Sequence, residues 1–166
     1  MPVLPEALTV DSLRIWHCSY ETLEPVQYLE NLRVLTIGTF PDSRLDFFAK
    51  LRRLEYLRIV HLPKVIDLSP LSELTSLHSL SLETLPSWDA SGKRTEVTSL
   101  EGLAKLPQLR HLDLLGVVPK ERNLNDVMRC RHLKSARFHG YPKQEVEHFY
   151  VATGVTSAFV PEPAVT

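Results

Sequence analysis

The sequence predicts an α/β solenoid of about seven repeats, with a concave parallel sheet and a convex side of short helical or 3₁₀ segments. Three observations predict this fold. Hydrophobic residues recur with a period close to 22, each period contains a strand-like alternation, and each also contains apolar residues spaced three apart. The chain has 166 residues, so we expect one domain over 1–166.

Each repeat is anchored at one hydrophobic residue, which we number position 0. The steps between anchors are 22, 22, 23, 32, 24 and 22 residues. Positions −9, −6, −3, 0, +3, +5 and +8 are hydrophobic in 48 of 49 cases, whereas composition alone predicts roughly 21. These positions therefore define the expected core. The anchors are Val10, Leu32, Leu54, Leu77, Leu109, Leu133 and Val155.

The pattern is clearest in the segments 29–37, 51–59, 74–82 and 106–114. Together with stretches such as Leu68-Ser-Pro-Leu-Ser-Glu-Leu-Thr-Ser-Leu-His-Ser-Leu-Ser-Leu82, they resemble the short, 22-residue class of leucine-rich repeats, the class seen in bacterial internalins. The resemblance covers nearly the full chain. It implies a strand at positions 0 to +5 and a helical or 3₁₀ segment at −9 to −3.

The sequence departs from that family at position +8, where asparagine is often found. In that family the asparagine amides form a ladder along the backbone. Here we expect stacking of apolar side chains to replace that ladder. The +8 residues here are Cys18, Phe40, Leu62, Leu85, Val117, Tyr141 and Pro163.

The two ends of the array differ. At the N-terminus, Met1, Leu4 and Ala7 are already in frame, so either the array starts almost bare or the chain belongs to something longer. At the C-terminus, we expect residues 142–166 to form a last repeat and cap with a proline-rich tail. Pro161 and Pro163 would blunt the exposed sheet edge.

Charge and targeting signals narrow the possible partners and compartment. There are 19 Lys+Arg and 20 Asp+Glu residues, a formal net charge of −1, which argues against nucleic acid or an anionic membrane as the partner. The sequence has neither a secretory-signal pattern nor a long apolar run, so we expect a cytoplasmic location. We also expect a monomer. Cys18 and Cys130 occupy core positions several repeats apart, which favours buried thiols over a disulfide.

Positions +2, +4 and +6 are expected to face away from the core, on the concave surface. Apolar residues stand at several of them where solvent is expected: Trp16, Tyr56, Val60, Leu115 and Phe159. Arginines stand among them: Arg14, Arg58 and Arg137. Aromatic residues combined with arginine are typical of protein interfaces. The alternative is that these side chains only shield their neighbours on the sheet.

The 32-residue step contains an inserted loop, residues 86–96, between repeats four and five. The loop is polar apart from Trp88. A loop of this length at the rim of a sheet is either functional or merely tolerated. Trp88 favours a partner contact, and the alternative is that it folds back onto the core.

Signals for catalysis are few. His111 and Asp113 share the concave side and could act in acid–base chemistry, but no activated nucleophile accompanies them. Arg137 falls beside Asp113 in the next repeat, which favours an inter-repeat ion pair. The histidines show no metal-binding spacing, and no glycine-rich phosphate loop is present. We therefore expect no cofactor and no metal.

The sequence as a whole favours a non-catalytic protein–protein interaction module that binds another protein through the concave sheet. The alternatives are an inhibitor or immunity-type protein, a fragment of a larger leucine-rich receptor or effector, and an enzyme using His111 and Asp113. The expected partner-binding residues are Trp16, Tyr56, Arg58, Val60, Trp88, His111, Asp113, Leu115, Arg137 and Phe159.

Overall fold

The computed structural model describes residue 1 and residues 9–16 and 19–158. Within those ranges, one strand from each repeat joins a seven-stranded parallel sheet, and two further strands form a small second sheet. The strands are β1 (Ser12–Ile15), β2 (Val34–Ile37), β3 (Tyr56–Val60), β4 (Ser79–Glu83), β5 (Thr95–Val97), β6 (His111–Leu115), β7 (Val117–Pro119), β8 (Ser135–His139) and β9 (Thr156–Ser157). The main sheet has the order β1-β2-β3-β4-β6-β8-β9. These findings confirm the predicted α/β solenoid.

The strand register follows the repeat spacing through the sixth repeat. Leu57 pairs with Leu35 on one side and with Leu80 on the other. Leu80 pairs in turn with Leu112, although the two are separated by the long step. Equivalent leucines therefore stack in continuous rows, and the insertion leaves the main sheet intact.

The convex side consists mostly of single 3₁₀ turns. Their apolar residues recur every third position, which suits a helix with three residues per turn because every third side chain then faces inward. Leu68, Leu71 and Leu74 show this pattern, and all three are fully buried around Ser69–Glu73. The other 3₁₀ segments are Glu24–Tyr28, Asp46–Lys50 and Val127–Arg129, and the fifth repeat has a short helix, α2 (Glu101–Ala104), in the same place.

The core extends to position +8, as the departure from asparagine predicts. Phe40, Leu62 and Val117 are buried there, and the Phe40 ring stacks 5.8 Å from that of Phe48. Tyr141 is only partly buried, and so is Leu85. The insertion begins at the next residue, so no regular turn covers this side chain.

The insertion is more ordered than the predicted loop. It contains a short helix, α1 (Pro86–Ala90), and its last residues enter β5, which pairs in parallel with β7. The backbone N–H of Thr98 then donates to the carbonyl oxygen of Ile66 at 2.7 Å. Because the hydrogen bonds at its C-terminal end reach neighbouring repeats, the insertion is tied to the scaffold.

The seventh repeat differs from the prediction. A regular helix of 11 residues, α3 (Lys143–Thr153), takes the place of the 3₁₀ turn. In strand β9, Thr156 pairs with Ser135. The frame anchored at Val155 instead places Ser157 opposite Ser135, so the observed register is one residue earlier. That frame is therefore wrong here: Phe149 is buried, but Ala152 is exposed. An α-helix rises less per residue than a 3₁₀ helix and presents a different face, so the period of three fails.

Within the described ranges, no helix combines the length and apolarity needed to cross a membrane.

Candidate functional site

The concave face consists of three rows of side chains, because parallel pairing places equivalent positions side by side. The +2 row contains Ser12, Val34, Tyr56, Ser79, His111 and Ser135. The +4 row contains Arg14, Thr36, Arg58, Ser81, Asp113 and Arg137. The +6 row contains Trp16, Gly38, Val60, Glu83, Leu115 and His139.

An ion pair between Asp113 and Arg137 joins strands β6 and β8 across the +4 row. Arg137 donates from Nε to Oδ1 at 2.9 Å and from Nη2 to Oδ2 at 2.5 Å, so both carboxylate oxygens are engaged. The Asp113 side chain is only 3% exposed, whereas that of Arg137 is 31% exposed. The hydrogen bond to Asp113 raises the pKa of Arg137. The predicted inter-repeat ion pair is therefore present.

A second ion pair lies two strands away. Arg58 donates from Nε to Oε1 of Glu83 at 2.7 Å and from Nη2 to Oε2 at 3.3 Å. The hydroxyl of Ser81 donates to the same Oε1 at 2.8 Å. Arg58 thus reaches from the +4 row of one repeat to the +6 row of the next.

The two ion pairs share one electrostatic environment. The charge of Glu83 helps to raise the pKa of Arg137, and the charge of Arg58 opposes that rise. Two cations and two anions therefore form a patch with no net formal charge in the middle of the face. Each charge is held by a neighbouring strand, so little side-chain freedom remains to be lost on binding.

His111 and Asp113 have different partners. The Nδ1 atom of His111 lies 2.7 Å from the hydroxyl oxygen of Ser135, whereas both Asp113 oxygens are engaged by Arg137. Burial lowers the pKa of His111, and the positive charges of Lys134 and Arg110 lower it further. The structure thus places both residues on the face but does not join them as a hydrogen-bonded dyad.

Trp16 marks the N-terminal end of the face and is 38% exposed. Its indole lies against Gly38 of the next repeat, where an added Cβ would meet the ring at 3.1 Å. The guanidinium carbon of Arg14 is 4.9 Å from the ring centroid, a cation–π distance. Gly38 therefore makes room for Trp16, a role that the repeat pattern did not reveal.

The expected exposure of Tyr56 and Val60 is wrong. Tyr56 is 6% exposed and Val60 is 8% exposed. Their strand β3 lies between β2 and β4 in the main sheet. The shielding interpretation describes these two residues, whereas Leu115 is half-buried.

Trp88 folds back against the rim of the sheet. Its ring meets that of His61 in an edge-to-face contact, with centroids 4.7 Å apart, and the Lys93 ammonium is 5.8 Å from the ring. His61 directly follows β3 and has a φ of 70°, uncommon outside glycine, while its N–H donates to the carbonyl of Glu83 at 2.7 Å. Trp88 remains partly exposed, so it is both packed on the scaffold and accessible at the rim.

Solved structures with the same architecture include internalins. The chain aligns with internalin C2 from Listeria monocytogenes with a TM-score of 0.60 and 22% identity, covering 78% of this chain and 52% of that chain. The fold is a leucine-rich repeat solenoid. A second internalin of that species, inlF, aligns with a TM-score of 0.37 and 15% identity over 80% of this chain and 55% of that chain. The leucine-rich repeat chain thus spans about half the length of either internalin. No family model and no curated protein matches it.

Two remaining expectations concern cysteine and metals. In this leucine-rich repeat array, Cys130 packs with Sγ 3.6 Å from the carbonyl oxygen of Leu103, and burial raises the pKa of its thiol to about 11. This supports a structural role. Among the described residues, no group of three His, Cys, Asp or Glu is placed to hold a metal ion. Cys18 and the predicted contact residue Phe159 lie outside the described residues.

Proposed function

We propose that this leucine-rich repeat protein is a non-catalytic module that binds another protein through its concave face. The observation that carries the proposal is the pair of fixed ion pairs, Arg58 with Glu83 and Asp113 with Arg137, on an open sheet. Charges that are already oriented by neighbouring strands present a rigid pattern to a partner. Such preorganisation reduces the entropy lost on association.

The surroundings of these ion pairs suit protein recognition. Trp16 with Arg14 provides an amphipathic anchor at one end of the face, and the exposed His139 lies on the last long strand at the other end. Trp88 extends the surface at the rim. The pattern favours a partner that offers a pocket for an aromatic ring and polar groups of both signs.

The test uses two exposed aromatic residues on opposite sides of the solenoid. Affinity purification from the native source with the immobilised chain identifies a partner, whose affinity is then measured by titration. We expect Trp16→Ala to weaken binding at least about tenfold, as is typical of a hot spot. Tyr28→Ala is the matched control, since Tyr28 is 54% exposed on a convex 3₁₀ segment.

Equal affinities of wild type and Trp16→Ala would contradict binding at this end of the face. Substitution of Tyr56 or Arg58 is a poorer test, because Tyr56 is buried and Arg58 is held by Glu83. Circular dichroism spectra of each variant check that the fold is intact.

We also propose a cytoplasmic location, supported by the free and largely buried thiol of Cys130. Fractionation of the source cells tests it, and recovery from the medium or the membrane fraction would contradict it. If the captured partner is an enzyme, its activity with and without the chain distinguishes an inhibitor from a scaffold.

A further inference from the structure

A second concave feature lies on the opposite, convex side, between the fifth and sixth repeats. It is a groove of about 540 Å³ beside α2 and the 3₁₀ segment Val127–Arg129. Its apolar part is formed by Ala104, Leu106, Pro107 and Met128. Leu106 is 4% exposed, so it belongs to the floor, whereas Pro107 is exposed at the mouth.

The polar rim of this groove is predominantly basic. Lys105 pairs with Glu101 at 3.0 Å and Arg129 pairs with Asp126 at 2.6 Å, so these two cations are already compensated. Arg131 and His132 also line the groove and are exposed. Within the described ranges, neither of them has a hydrogen bond or ion-pair partner.

The basic character continues beyond the groove. The segment Met-Arg-Cys-Arg-His-Leu-Lys at 128–134 carries three cations and a histidine and has no acidic residue. The backbone N–H of Lys134 donates to the carbonyl oxygen of Arg110 at 2.8 Å, and both residues are exposed. The positive charges of Lys134 and Arg110 help to lower the pKa of His111 nearby. Since the whole chain has a net charge of −1, this positive charge is concentrated locally.

We propose that the groove binds an acidic segment of a partner protein, with one apolar side chain on the Leu106 and Met128 floor and a carboxylate against Arg131. Charge complementarity supports an acidic occupant. The apolar floor favours a peptide over a phosphate backbone, since a nucleic acid has little to bury there.

This surface is separate from the concave face, so the two proposals can fail independently. The probe is a displayed library of random dodecapeptides, selected on the immobilised wild-type chain. We expect enrichment of peptides in which an apolar residue is flanked by Asp or Glu. Their affinity should fall at least about tenfold in Arg131→Glu, because reversing a charge at a binding site turns attraction into repulsion.

The repeat provides a matched control. Arg52 occupies position −2 of the third repeat, as Arg131 does in the sixth, and it is also exposed. Arg52→Glu makes the same change in net charge away from the groove, so it should leave peptide affinity unchanged. Thermal unfolding by circular dichroism should be the same for both variants, because both side chains are exposed.

Three outcomes would overturn the proposal. The first is that the selected peptides show no enrichment in Asp or Glu, or that Arg52→Glu weakens peptide binding as much as Arg131→Glu does. The second is that single-stranded oligothymidylate or phosphatidylserine vesicles bind the wild-type chain more tightly than the peptides do, and that this binding is lost in Arg131→Glu. The third is self-association of the wild-type chain in sedimentation that Arg131→Glu abolishes, which would identify a second copy as the occupant.

Discussion

Arg137 donates two hydrogen bonds across the strand ladder to Asp113, which is almost completely buried while its partner is partly exposed. This asymmetry predicts which partner is more costly to remove. Loss of Arg137 leaves a buried carboxylate without its compensating charge, whereas loss of the Asp113 charge leaves a guanidinium that water can reach.

We therefore expect Arg137→Leu to lower the free energy of unfolding by about 2–3 kcal/mol and Asp113→Asn by about 1 kcal/mol. Urea denaturation of both single variants shows which substitution lowers the free energy of unfolding more. The double variant then gives the coupling free energy between the two residues. Equal losses, or a larger loss in Asp113→Asn, would contradict the role of burial.

Gly38→Ala is expected to displace the indole of Trp16, because the new Cβ would approach the ring to 3.1 Å. Trp16 is partly exposed and can move, so the change in unfolding free energy should stay below about 1 kcal/mol. Tryptophan fluorescence in a Trp88→Phe background reports on Trp16 alone and should shift to longer wavelength. Thr39→Ala, an exposed neighbour, serves as the control. An unchanged emission spectrum would show that the two residues do not contact.

Leu80→Ala should lower the free energy of unfolding by about 2–5 kcal/mol, because it removes a fully buried side chain from a continuous row. Val151→Ala in α3 should have almost no effect, since Val151 is 86% exposed. Chemical denaturation compares the two. Similar losses would mean that the core is not where the repeat places it.

Stability is expected to decrease as the pH is lowered from about 7 to about 5. Burial lowers the pKa of both His61 and His111 in the folded protein. Below the ordinary histidine pKa of about 6.5, the unfolded chain therefore binds more protons than the folded one. The stability that the two neutral histidines contribute to the folded protein is therefore fully present above that pH. It is lost as the pH falls through their lowered pKa values.

His61→Gln combined with His111→Gln should flatten this dependence, as measured by thermal unfolding across the pH range. His148→Gln, on the exposed surface of α3, is the control. A pH profile of the double variant that matches wild type would contradict the role of these two histidines.

The period of the hydrophobic residues is enough to predict the strand rows and most of the core. Leu57, Leu80 and Leu112 could be aligned from the sequence because a solenoid repeats one local pattern and each repeat packs mainly on its neighbours. The predicted pairing of Asp113 with Arg137 follows from the same regularity. Prediction failed in the seventh repeat, where α3 changes the number of residues needed to reach the next strand.

The sequence by itself therefore determined the solenoid, the direction of its rows and the candidate concave face, because apolar spacing is a local property of the chain. Only the tertiary structure decided which concave residues are covered, since the exposure of Tyr56 and Trp16 depends on how the side chains around them pack. It also decided the contact of Trp88 with His61 and the basic groove at Arg131. Both join residues from different repeats, and their geometry depends on where side chains and the insertion pack in three dimensions.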